Sequence, residues 1–161
     1  MRMMKTACAF VAFSVAVACA VSVEAAQPKQ QKGGHAHEHP AAGPHRGSLI
    51  ELGKEDFHAE LVHDHAANAV TIYILDGAAR DAVPIDAKQV TLNLLVTGKP
   101  QQFQLAARPQ PTDPDGKASA FGCTSEQMCR VLDAKGTTGR LNVEIAGKMF
   151  VGKLGGHSHA H

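Results

Sequence analysis

FHAELVHDHAANAVTIYILD, residues 57–76, decides the fold. In its first half Phe57, Ala59 and Leu61 alternate with His58, Glu60 and Asp64, interrupted only by Val62. In its second half Val70, Ile72 and Ile74 alternate with Thr71, Tyr73 and Leu75. A period of two sends successive side chains to opposite faces, so each half reads as a strand with one face in a core. Between them His63-Asp64-His65-Ala66-Ala67-Asn68 is short and polar, as a hairpin loop requires.

The same pattern extends outward. Upstream, residues 48–52 form a short strand ended by Gly53. Downstream, Val90, Leu92, Leu94 and Val96 align at period two, and Gly98-Lys99-Pro100 turns the chain into a strand over 101–107 with Phe103 and Leu105 inward. Three prolines between Pro109 and Gly116 mark a surface loop, and residues 117–121 add another strand. Residues 124–133 predict a short helix, capped by Thr124 or Ser125, with Met128, Val131 and Leu132 on one face. A last hairpin spans 141–154 around Ala146-Gly147. Short strands with turn signals and little helix predict an all-β, mainly antiparallel β-sandwich of seven or eight strands. Every strand has a polar face, which argues against a parallel sheet.

The ends are different in kind. Residues 1–25 open with the basic MRMMK, continue through an apolar run of small residues, and end at Val23-Glu24-Ala25, as a signal peptide does. Cleavage near Ala25 and a periplasmic or secreted protein are the expectation. An uncleaved anchor and lipidation at Cys19 are the rival readings, and either would be the chain's link to a membrane. Residues 26–44 read as a flexible His-rich linker, 45–154 as the folded domain and 155–161 as a flexible His-rich tail. Without residues 1–25 the chain carries 14 basic and 14 acidic residues. That balance gives no basic face for nucleic acid.

Export also bears on the cysteines. Cys8 and Cys19 fall in the leader, which leaves Cys123 and Cys129. In an oxidising compartment a disulfide is the default for such a pair. Free thiols are one alternative, and a thiolate metal site with Met128 as a soft third ligand is the other.

Ten histidines are the unusual feature. His35, His37 and His39 precede the domain, and His157, His159 and His161 end the chain. Neutral imidazole is a ligand for Cu, Zn and Ni ions, and a flexible H-x-H-x-H tract can converge on one ion with little selectivity. A solvated polar tail is the plainer reading of the same tracts. Within the domain His58 and Glu60 share a face, and one of His45, His63 or His65 would complete a three-ligand site. The plainer reading has His58 and Glu60 solvating the outer face of their strand. No G-x-S-x-G, H-E-x-x-H or phosphate-cradling glycine loop occurs, so no catalytic residues, no enzyme and no organic cofactor are expected.

Gly43-Pro44-His45-Arg46-Gly47, followed by the strand at 48–52 and by residues 57–76, resembles a family of small exported bacterial β-domain proteins, mostly uncharacterised. It is also similar to N-terminal segments of periplasmic adaptor subunits of heavy-metal efflux pumps. The pattern usually reads G-P-H-G-G, and Arg46 departs from it. The resemblance spans residues 43–154. It implies a periplasmic β domain linked to metal handling, an efflux-system protein as partner, and His45, His58, Glu60 and His63 as candidate ligands. The cysteines lie outside the pattern, which favours a local disulfide. The functional expectation is an exported protein that binds divalent transition-metal ions in buffering or efflux. The alternative is an extracytoplasmic protein-interaction module with no metal role.

Overall fold

A computed structural model describes residues 42–155. The expected leader, most of the linker and the terminal histidine tracts lie outside the described residues. Eight strands and one helix follow in the order β1 (Ser48–Leu52), β2 (Phe57–Asp64), β3 (Ala69–Asp76), β4 (Gln89–Val96), β5 (Lys99–Ala107), β6 (Ala120–Thr124), α1 (Glu126–Asp133), β7 (Thr138–Ile145) and β8 (Lys148–Leu154). Among these residues, no helix is long and apolar enough to cross a membrane.

All-β architecture with one short helix is what the alternation demanded, but the strands form one sheet. Its order is β1-β2-β3-β6-β5-β4-β7-β8, and every pairing is antiparallel. The sheet curls until its two edge strands, β1 and β8, pack against each other, which makes it nearly a barrel. The inward residues of both halves meet in one core: Ile50 and Leu52, Ile72 and Ile74, Leu92 and Leu141 are all buried. A single curled sheet buries one continuous face, whereas a sandwich needs two sheets.

Local chemistry sets the connections. Thr97-Gly98 and Ala146-Gly147 both have positive φ at consecutive positions, the geometry that tight antiparallel hairpins favour. Asp64 Oδ1 accepts from the Ala67 amide at 3.0 Å and Asn68 takes φ 51°, which turns β2 into β3. Ser125 caps α1: its side chain accepts from the Met128 amide. The helix contacts both β3 and β4, three places apart in the sheet, so it bridges the curl from one side to the other. Met128, Val131 and Leu132 enter the core beneath it.

The proline-rich loop is tied down by Asp113. Its Oδ2 accepts from the amides of Gln110 at 2.7 Å and Ser119 at 2.8 Å. Burial pushes this carboxyl up, but the two amides outweigh it and hold it below the ordinary aspartate value. A depressed folded pKa gives stability that is present above the unfolded value and lost as pH falls through the folded one. Asp113→Ala should therefore cost about 1–3 kcal/mol near neutral pH. Thermal melts across pH should show the gap to wild type narrowing as pH falls from the ordinary aspartate value through the lower folded one. A constant gap would mean that the charge contributes nothing.

Candidate metal centre at the end of strand β2

Alternation places His58 and Glu60 on the face of β2 away from the core, where solvent was expected. Both are buried: Glu60 is 0% exposed and His58 1%. Burying a carboxyl group is costly unless its oxygens are met by donors. Here residues 43–47 fold across the strand and supply them. Glu60 Oε1 accepts from the amides of His45 at 2.8 Å and Gly47 at 2.7 Å, and Oε2 lies 2.8 Å from His45 Nδ1. The His45 ring stacks on Tyr73, which is Glu60's register partner on β3, with centroids 3.7 Å apart and planes 8° from parallel.

This geometry explains the Gly43-Pro44-His45-Arg46-Gly47 motif physically. A Cβ at Gly43 would fall 2.4 Å from the Glu60 carboxyl carbon, and one at Gly47 would fall 2.5 Å from the Leu61 carbonyl. The turn is closed by Gly43 N donating to Gly47 O and Arg46 N donating to Gly43 O. Arg46 sits at φ 63°, a region that costs a side-chain-bearing residue roughly 1 kcal/mol. The G-P-H-G-G pattern has glycine there. Arg46→Gly should thus be neutral or stabilising by up to about 1 kcal/mol, read as a Tm rise of a few degrees. A fall in Tm would show that the Arg46 side chain contributes more than its backbone costs.

His58 is held separately. Its Nδ1 lies 3.2 Å from the Asp76 carbonyl. Asp76 organises the turn after β3, accepting at Oδ1 from the amides of Arg80 and Asp81. The Arg80 amide is the largest influence holding this carboxyl below its ordinary value. Glu60 and His45 therefore serve each other, and His58 packs beside them against a turn.

The histidines at the end of β2 meet a residue that the sequence did not single out. His63 Nδ1 lies 3.6 Å from Asp133 Oδ1, and His65 Nδ1 lies 3.6 Å from Asp133 Oδ2. The two imidazoles are 3.9 Å apart, tilted by 35°. One ligand atom from each of the three residues lies within 4.8 Å of the others. Ligand atoms around a tetrahedral ion with bonds of about 2.0–2.2 Å stand roughly 3.4 Å apart, so small side-chain rotations would seat an ion here. The site is graded in access: the side chains of His63, His65 and Asp133 are 9%, 64% and 43% exposed. It opens onto a cleft of about 390 Å³ lined by His45, Arg46, Ser48, His63 and His65.

β2 delivers His63, the hairpin loop delivers His65, and the C-terminal end of α1 delivers Asp133. The helix stops there because Ala134 turns extended, while the Thr137 hydroxyl donates to the Val131 carbonyl at 2.7 Å. His35, His37, His39, His157, His159 and His161 lie outside the described residues.

The expected disulfide is absent: Cys123 and Cys129 are both free thiols. Cys123, on β6, directs its Sγ at the Met128 Sδ, 3.4 Å away. Successive helix residues point about 100° apart, so the position that faces Cys123 is Met128 and not Cys129. Burial pushes both thiols above the ordinary cysteine value. The Arg108 charge opposes this at Cys123, while Asp133, Cys123 and Asp64 add to it at Cys129.

Comparison with known protein families, curated proteins and solved structures finds no match for this chain.

Proposed function

We propose that this chain is an exported protein that binds divalent transition-metal ions, of the class of Cu, Zn or Ni, in metal buffering or efflux. In this reading His63, His65 and Asp133 hold the ion on the domain, and the histidine tracts at 35–39 and 157–161 raise its local concentration. The observation that carries it is the convergence of two imidazoles and one carboxylate, from three separate elements, within 4.8 Å. Two nitrogens and one oxygen suit a borderline divalent ion and leave a coordination position open toward the cleft. An ordered site can select among ions by geometry, which the tracts cannot.

Titration calorimetry on untagged full chain tests this. The six tract histidines are changed to alanine in one variant, and His63→Ala with His65→Ala are added in a second. The first should still bind one Zn(II), Ni(II) or Cu(II). The second should lose at least about tenfold in affinity. If the first variant takes up no ion at micromolar concentration, the domain site does not exist.

The interaction-module reading has one observation in its favour. Met149 and Val151, 59% and 49% exposed, stand apolar on the edge strand β8. It predicts that partner capture survives loss of all the histidines above and fails in Met149→Lys with Val151→Lys.

A further inference from the structure

The cleft beside the His63, His65 and Asp133 cluster is larger than an ion needs. Its volume is about 390 Å³, whereas a single bound water needs only roughly 10–15 Å³ on the same measure. Leu61 and Leu132, both buried, supply apolar lining. The polar lining comes from His63 and His65 at the end of β2 and from the 43–47 turn, which contributes His45 and Arg46. Among the lining residues Arg46 alone carries a fixed charge, and no described carboxylate pairs with it. Glu60, the carboxylate beneath the turn, is already taken: the amides of His45 and Gly47 and the His45 ring occupy its oxygens. Arg46 is also held in an uncommon backbone conformation, φ 63°, with its amide donating to the Gly43 carbonyl at 2.9 Å. Such strain in a side-chain-bearing residue concentrates at ligand sites.

We propose that this cleft takes a small oxyanion, a carboxylate or phosphate, which fills the ion's open coordination position with one oxygen and pairs with Arg46 through its others. This rests on the metal reading of His63, His65 and Asp133, and names the second component that the site takes. Charge favours it. A divalent ion held by two neutral imidazoles and the Asp133 carboxylate keeps one net positive charge, and Arg46 adds a second to the same cleft. A water in the open position leaves both uncompensated, whereas an anion offsets one or both. The apolar lining from Leu61 and Leu132 lowers the local dielectric and so strengthens that attraction. A guanidinium presents paired N–H donors in a planar fork, which matches two oxygens of a carboxylate or phosphate. The anion displaces water from the ion; no bond within it breaks and no electron moves. The ion and Arg46 thus act together, each holding the anion less well alone.

The test uses the full chain with the six tract histidines changed to alanine, loaded with one equivalent of Cu(II) in a buffer free of coordinating anions. Glycolate and inorganic phosphate are titrated separately, followed by calorimetry and by the visible d–d band of the ion. At least one should saturate one-to-one and shift the band, and the tighter of the two identifies the anion as carboxylate or phosphate. Glycolamide, which has the shape of glycolate without its charge, should produce no shift. Arg46→Gly should weaken anion binding by at least about tenfold, the loss of one charge-assisted pair, and leave Cu(II) uptake unchanged. Glycine suits φ 63°, so this variant stays folded. Arg46→Lys, which keeps the charge but not the fork, should fall between. The chain without Cu(II) should bind either anion at least about tenfold more weakly. No Cu(II) uptake in the first step would sink the metal reading and this one with it. Uptake followed by no response to either anion would overturn this proposal alone. So would equal anion binding in Arg46→Gly, equal binding without the ion, or loss of Cu(II) to the anion in solution.

Discussion

Glu60→Ala should be the most damaging substitution on the outer face of β2, costing about 3–5 kcal/mol in urea unfolding. The carboxyl group is fully buried and takes the amides of His45 and Gly47 together with the His45 ring nitrogen. Removing it leaves two amides without an acceptor and opens a hole where the side chain lay. Each buried amide left unsatisfied costs roughly 1–3 kcal/mol. Glu60→Gln should fall between alanine and wild type, because a carboxamide keeps one acceptor oxygen but turns an NH2 group toward a donor. His45→Ala should cost least, about 1 kcal/mol, since its side chain is 43% exposed and its amide still donates. The order of the three variants discriminates between readings of the residue. A ligand role for Glu60 predicts that Glu60→Gln weakens metal binding while leaving the metal-free protein as stable as before. The turn geometry predicts the reverse, with stability falling and affinity at His63, His65 and Asp133 kept. If Glu60→Ala stays within about 1 kcal/mol of wild type, the 43–47 turn is not held by this carboxyl.

That prediction also shows where sequence reading stops. The inner faces of β3, β4 and β8 were legible because each packs on one core, which leaves a clean alternation of burial. The outer face of β2 was not. Its cover lies 13 and 15 residues upstream, in a stretch whose composition reads as the end of a linker. Alternation reports that two faces differ; it is silent on whether a remote turn covers the polar one. The single curled sheet was hidden for a related reason. Alternation is the same in a sandwich and in a barrel, and the choice rests on β6 pairing with both β3 and β5.

The site followed the same division. His63 and His65 were visible as a spaced pair in a hairpin loop. Asp133 was not, because it reaches them only through the way α1 packs, some 70 residues further along. The helix itself was legible from Ser125 and from the spacing of Met128, Val131 and Leu132. For the cysteines, compartment chemistry pointed to a disulfide, but helical phase points Met128 at Cys123. A signal for Asp133 did exist: an acidic residue at the last turn of a helix sits against the macrodipole, where a cation nearby would favour it.

Closure of the sheet should depend on Gly152. A Cβ there would lie 2.4 Å from Ile50 Cγ2, 2.9 Å from Leu52 Cδ2 and 3.0 Å from the Glu51 carbonyl. Two of these neighbours are core side chains on β1, both buried, and the third is backbone. None can swing aside into solvent, so the strand must move. Gly152→Ala should cost about 1–3 kcal/mol, and Gly152→Val more, because a β-branched side chain adds two methyl groups to a space with no room for one carbon. The damage should be local in a way that a core cavity is not. Amide hydrogen exchange should quicken in β1 and β8, the two strands at the seam, well before β3 and β6 at the middle of the sheet. Unchanged stability in Gly152→Val would mean that β1 and β8 stand further apart than a barrel allows. The prediction also separates architecture from ligand binding. No ligand of the His63, His65 and Asp133 cluster lies on β1 or β8; β2, the hairpin loop and α1 carry it. A Gly152→Ala protein that remains folded should hold ions as the wild type does, while melting earlier.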